Sequence, residues 1–133
     1  RTIDLSLTEE PSMAVNGGEK GYPLGTAVEV FSASLLEKLY KTVQSTDEKE
    51  NVTLHIYRES AKHRILYLNA PEIYRDLNVR LTIDTPEDLS LTKALYGKLK
   101  ERNEVFKLRF VSEYIRKNPE MKKMNSHIIQ KVF

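Results

Sequence analysis

Three acidic residues, Glu29, Glu50 and Asp84, are the side chains of this sequence best suited to chemistry. Cysteine is absent, which excludes thiol catalysis, zinc–thiolate sites and disulfides. The histidines are His55, His63 and His127, and none falls into an HExxH or comparable ligand spacing. No GxSxG stretch supports a Ser-His-Asp hydrolase. Gly17-Gly18 is too sparse to cradle a phosphate, and no Walker-type Lys-Ser/Thr pair follows it. Tyr57-Arg58 and Tyr74-Arg75 set aromatic beside basic groups, a pattern that surface packing explains more simply than stacking on nucleic-acid bases. Carboxylates therefore remain. A strand-end Asp with an in-strand Glu suits magnesium-assisted phosphate chemistry, in which hard oxygens fill part of the coordination shell and substrate phosphates the rest.

Asp84 lies in RLTIDTPEDL, residues 80–89, where strand chemistry gives way to helix-start chemistry. Leu81 and Ile83 alternate with Arg80 and Thr82. Thr85 then offers a cap, Pro86 suits the first helical position, and Glu87 and Asp88 favour the positive end of the helix dipole. The pattern predicts a strand over 79–83 with Asp84 at its end, the edge where α/β sheets hold ligands and metal ions. A turn-forming Asp is the other reading of that position. Glu29 stands mid-way along AVEVF, residues 27–31, a strand with Ala27 and Phe31 on the same face. An acid there faces either solvent or a polar site.

The elements that would position these residues follow from periodicity. Ile3, Leu5 and Leu7 alternate and predict a first strand. Residues 9–25 collect prolines and glycines and predict a long loop, read as a hairpin tip or a mobile flap. Ser34-Leu35-Leu36-Glu37 is a capping-box pattern, and Leu35, Leu36, Leu39, Tyr40 and Val43 form an amphipathic stripe, predicting a helix that ends near Ser45. Residues 47–60 fit both a strand (Val52, Leu54, Ile56) and a helix, and periodicity leaves them open. A strand is expected over 64–68, and a helix over 86–101 with Leu91, Leu95 and Leu99 at a spacing of four. A further helix over 107–117 stops at Asn118-Pro119, which opens a short last helix carrying Met121, Met124 and Ile128. The order reads as mixed α/β or α+β.

The 133 residues suffice for a single domain with a real core. Net charge is +2 with the basic residues scattered, so neither nucleic acid nor an anionic membrane is implied as a partner. No apolar run approaches the roughly 18 residues a membrane span needs, and no signal peptide is visible. Such a cysteine-less chain suits the cytoplasm. It begins at Arg1 without a methionine, which suggests a fragment.

Four segments, in order, resemble the C-terminal half of a sugar cytidylyltransferase. They are YPLGTAVEVFS (22–32), ENVTLHIYRES (50–60), RLTIDTPEDL (80–89) and NPEMKKMNSHIIQK (118–131). DTPEDL is shared with the wider acylneuraminate and 3-deoxy-manno-octulosonate cytidylyltransferase superfamily, while NSHIIQK is more particular to its spore-coat polysaccharide branch. The resemblance implies a Rossmann-like α/β nucleotidyltransferase fold (the nucleotide-diphospho-sugar transferase type), of which this chain supplies a mixed sheet and the C-terminal helices. It implies CTP and a sugar as substrates, a CMP-sugar and pyrophosphate as products, and Mg2+ as cofactor. Asp84 matches the metal ligand that opens DTPED, and Glu29, Thr53 and Arg80 match positions on the sugar side of the cleft. The matching segment is helical in the family, which assigns 49–59 to a helix. Two departures erode the pattern: Ala27 stands where an acid is common, and Asn51 where a histidine is usual. The family's N-terminal half, with its nucleotide loop and second metal carboxylate, has no counterpart in these residues, so the isolated chain is expected to be inactive. A homodimerising or binding module without catalysis, and a glycosyltransferase on the same scaffold, are the alternatives.

Overall fold

The computed structural model describes residues 2–9, 11–75, 77, 79–101 and 107–129. They form two compact units. The first combines residues 2–16 with Val28–Leu68, and the second combines Gly17–Ala27 with the described residues from 69 to 129.

The first unit is built on a three-stranded sheet whose middle strand, β1 (Met13–Val15), pairs antiparallel with β2 (Glu29–Phe31) and parallel with β3 (Ile65–Tyr67). All three β1 residues are buried, as a strand covered on both faces requires, so they show no alternation. That is why a strand hides in a stretch that reads as loop. The residues expected to form the first strand instead form helix α1 (Thr2–Glu9). Ile3 and Leu7 are four apart, a spacing that suits one helical face as well as it suits alternation, and the place beside β1 is already taken on both sides.

Helix α2 (Ala33–Thr42) is capped two residues earlier than the capping-box pattern suggests: Ser32, not Ser34, is the cap, its Oγ accepting from the Leu35 N–H at 3.1 Å. Leu39 and Val43 of this face join Met13 and Ile56 in a buried cluster. The ambiguous stretch is helical but broken, into α3 (Thr46–Glu50) and α4 (Leu54–Arg58) with a turn at residues 51–53. Ser45 opens α3 and Asn51 ends it, its Nδ2 donating to the Asp47 carbonyl at 3.2 Å.

The second unit is mainly helical. Helix α5 (Pro86–Glu101) runs over the span that its pattern predicts, burying Leu91, Leu95 and Leu99 together with Asp88. Helix α6 (Leu108–Lys117) buries Ile115 against Leu77, Val79, Leu91 and Leu95. The last short helix is of the tighter 3-10 kind, over Pro119–Met124. Another 3-10 turn, Glu72–Tyr74, is held by the Arg116 guanidinium, which donates to the carbonyls of Glu72 at 3.0 Å and Arg75 at 2.8 Å.

The strand expected over 79–83 does not form as a ladder. Arg80 makes one parallel bridge to Leu24, with the Leu81 N–H donating to the Leu24 carbonyl at 2.8 Å. Pro23 lacks an N–H, and Gly25 turns away at φ +93°, so the neighbouring segment has no further register to offer. Asp84 therefore ends an extended segment, not a sheet strand. No helix among the described residues is long and apolar enough to cross a membrane.

Candidate functional site

Arg80, Asp84 and Asp88 converge at the start of α5. The Arg80 Nη2 donates to Asp84 Oδ2 at 3.1 Å, Asp88 Oδ2 at 3.3 Å and Thr82 Oγ1 at 3.1 Å, while Nε reaches Asp88 Oδ1 at 3.4 Å. The two acids are not equivalent. Asp88 is completely buried, whereas the Asp84 side chain is 61% exposed and the Arg80 side chain only 11%.

Local sequence explains the difference. Thr85 caps α5 by accepting the Asp88 N–H at 3.2 Å, which turns the Asp88 side chain back across the helix start. There its Oδ2 accepts the Asp84 N–H at 3.2 Å, a reciprocal cap displaced by one residue. The buried Asn125 completes the cluster: its Nδ2 donates to Asp88 Oδ1 at 2.7 Å and to the Arg80 carbonyl at 3.0 Å. The Arg80 guanidinium, aided by Asn125 and the Asp84 N–H, holds the Asp88 carboxyl well below the usual carboxylate range against the cost of its burial. Asp88 is thus occupied within the protein. Asp84, anchored through one oxygen and open to solvent, is within a ligand's reach where the buried Asp88 is not.

Glu29 forms a second constellation, in the first unit. Its exposed carboxylate accepts from Thr53 Oγ1 at 2.7 Å through Oε2 and from the Tyr57 hydroxyl at 2.6 Å through Oε1. Burial, then the hydrogen bond to Glu29, pushes the Tyr57 phenol far above its ordinary value. The four residues expected at the site therefore form two pairs, Glu29 with Thr53 and Arg80 with Asp84, each within its own unit. Glu50 lies exposed at the end of α3. His55 and His63 meet edge to face, with ring centroids 6.4 Å apart. Among the described residues no group of three or more His, Cys, Asp or Glu side chains could hold a metal ion.

Sequence reasoning missed two members, Asp88 and Asn125. Asp88 reads as a generic dipole acid, and its position three residues after Thr85 was the signal of a capping role. Asn125 belongs to a segment singled out by resemblance alone, and nothing local marks it as buried.

The fold aligns with a solved cytidylyltransferase from Leptospira borgpetersenii serovar Hardjo-bovis at a TM-score of 0.77 and 25% identity, over 99% of this chain and 52% of that one. This is a nucleotidyltransferase fold, and the chain is cytidylyltransferase-like. It is 44% identical over 84 residues to the spore coat polysaccharide biosynthesis protein SpsF of Bacillus subtilis, taking in 62% of this chain and 35% of SpsF. It is also 33% identical over 116 residues to the uncharacterized protein MJ1063 of Methanocaldococcus jannaschii, 86% of this chain and 46% of that protein. No protein-family model matches. The chain thus spans less than half the length of these two relatives.

Proposed function

We propose that these residues form the later half of a CTP-dependent sugar cytidylyltransferase serving surface polysaccharide synthesis, in the manner the name of SpsF suggests. The observation that carries this reading is the division of labour at the start of α5, where a buried Arg80–Asp88–Asn125 lock presents Asp84 to solvent. In the reaction a sugar oxygen bonds to the α-phosphorus of CTP as the bond to the β-phosphate oxygen breaks and pyrophosphate leaves. Asp84 fits a Mg2+ site of the kind that takes one or two carboxylates and fills its other positions with waters and substrate phosphates. A bound Mg2+ supplies charge neutralisation at the phosphates. This chain's own part at that site is to hold the Asp84 carboxylate in place through Arg80. Within the first unit, Thr53 and Tyr57 keep the Glu29 carboxylate oriented, a group suited to sugar hydroxyls.

The test is a titration of the intact protein with Mg2+ and CTP, followed through the amide signals of residues 82–88. Saturable shifts centred on Asp84 are expected. Their absence, with the protein folded, contradicts the reading.

A second reading, self-association into a homodimer, is favoured by the face of α2. Leu36, Tyr40 and Val52 line a cavity of about 210 Å3 and are themselves exposed, Tyr40 to 85%. Exposed apolar clusters of this kind commonly mark protein interfaces. Mass measured across a concentration series decides it, and a strictly monomeric species at high concentration rules it out.

A further inference from the structure

On one side of the Arg80 guanidinium there are more acceptors than hydrogens. Nε lies 3.4 Å from Asp88 Oδ1 and Nη2 lies 3.3 Å from Asp88 Oδ2, the side-on fork in which arginine meets a carboxylate with two parallel N–H groups. A guanidinium Nη nitrogen carries two hydrogens, so the fork leaves Nη2 with one more. Two acceptors stand at the same 3.1 Å from that nitrogen, Thr82 Oγ1 and Asp84 Oδ2. One hydrogen therefore serves both, as a three-centre bond.

The three contacts are not held equally firmly. Asp88 is fully buried and is fixed further by Asn125 and the Asp84 N–H, so giving up its share of Arg80 would leave a buried charge unpaired. Thr82 is also fixed, because its hydroxyl donates to Asp88 Oδ2 at 3.4 Å while accepting from Arg80. A hydroxyl has one hydrogen and two lone pairs, so the two roles coexist. Asp84, open to solvent, is the loose member. A carboxylate given only part of a hydrogen keeps more of its charge for a metal ion than one that accepts a whole bond.

We propose, resting on the Mg2+ reading of Asp84, that Thr82 is a positioning residue for that carboxylate. By taking part of the Nη2 hydrogen, it keeps the hold of Arg80 on Asp84 loose enough for a divalent cation to bind there. Valine has nearly the shape of threonine without the hydroxyl, so Thr82→Val gives the whole hydrogen to Asp84. Thr82→Ser keeps the hydroxyl and loses only the methyl group.

The intact protein and both variants are titrated with Mg2+ alone while the side-chain carboxyl 13C signal of Asp84 is followed. Thr82→Val is expected to bind Mg2+ about three- to fivefold more weakly, the upper range of what one exposed ion pair contributes, and Thr82→Ser as the unsubstituted protein does. Before any metal is added, the same signal is expected to move in Thr82→Val and to return in Thr82→Ser. Should Thr82→Val fail to fold, Thr82→Ala removes the hydroxyl at smaller volume and carries the same expectation. Mg2+ binding that is unaltered or tightened without the hydroxyl, or a loss that serine does not restore, overturns the role of Thr82 and leaves the Mg2+ reading standing. A Mg2+ response absent from all the proteins alike overturns that reading, and the role of Thr82 with it.

Discussion

Replacing Asn125 by alanine tests the lock behind Asp84 without touching either acid. Two hydrogen bonds disappear, one to the ionised Asp88 carboxylate at 2.7 Å and one to the Arg80 carbonyl at 3.0 Å. A hydrogen bond to a charged group contributes about 1.5–3 kcal/mol and one between neutral groups about 1, so the variant should lose about 2.5–4 kcal/mol. Both acceptors are partly or fully buried, so water does not replace what is lost at no cost. Chemical unfolding of the intact protein gives the loss directly. A double-mutant cycle of Asn125→Ala with Asp88→Ala isolates the shared contact, and a coupling of about 1.5–3 kcal/mol is expected. Strict additivity of the two substitutions would show that Asn125 and Asp88 do not stabilise each other, and the reasoning about the cluster would fail.

Other perturbations follow from the same geometry. Because the folded Asp88 carboxyl lies below its unfolded value of about 3.9, the stability it contributes is complete above that pH and is lost as the pH falls through its folded value. Acid unfolding should therefore steepen below about pH 4 and be flatter in Asp88→Asn. Tyr57 is raised, so its contribution is present below about pH 10 and is lost as pH rises through the folded value. In an absorbance titration one tyrosine should ionise later than the rest, and Tyr57→Phe should remove that late step. At Gly25 an added Cβ would stand 2.5 Å from the backbone of Leu81 and Thr82 at a φ of +93°. Gly25→Ala should cost about 1–3 kcal/mol from backbone strain alone and shift the amides of residues 81–84; an unchanged unfolding curve refutes the tight approach.

Helices α2, α5 and α6 were legible because each carries an apolar stripe several turns long, and α5 also carries Thr85 and Pro86 at its start. The strands were harder. β1 is three residues of continuous burial between turn residues, so neither period is visible in it. Ile3 to Leu7 is too short to separate alternation from a helical spacing of four, and the helix won. At 79–83 the alternation was real, but a strand needs a neighbour, and Leu24 supplies a single bridge. The position of Asp84 just before a capped helix was legible. The fate of its neighbour was not, because Asp88 is decided by Arg80 eight residues earlier and Asn125 thirty-seven residues later.

The most direct test of the central claim is product analysis with CTP, Mg2+ and candidate sugars, comparing the intact protein with Asp84→Asn. Pyrophosphate released in equal amount to CMP-sugar is predicted, with the variant slowed on the order of 10²-fold or more while remaining folded. Equal rates in the two proteins, or CMP released without pyrophosphate as a glycosyl transfer would give, contradict it.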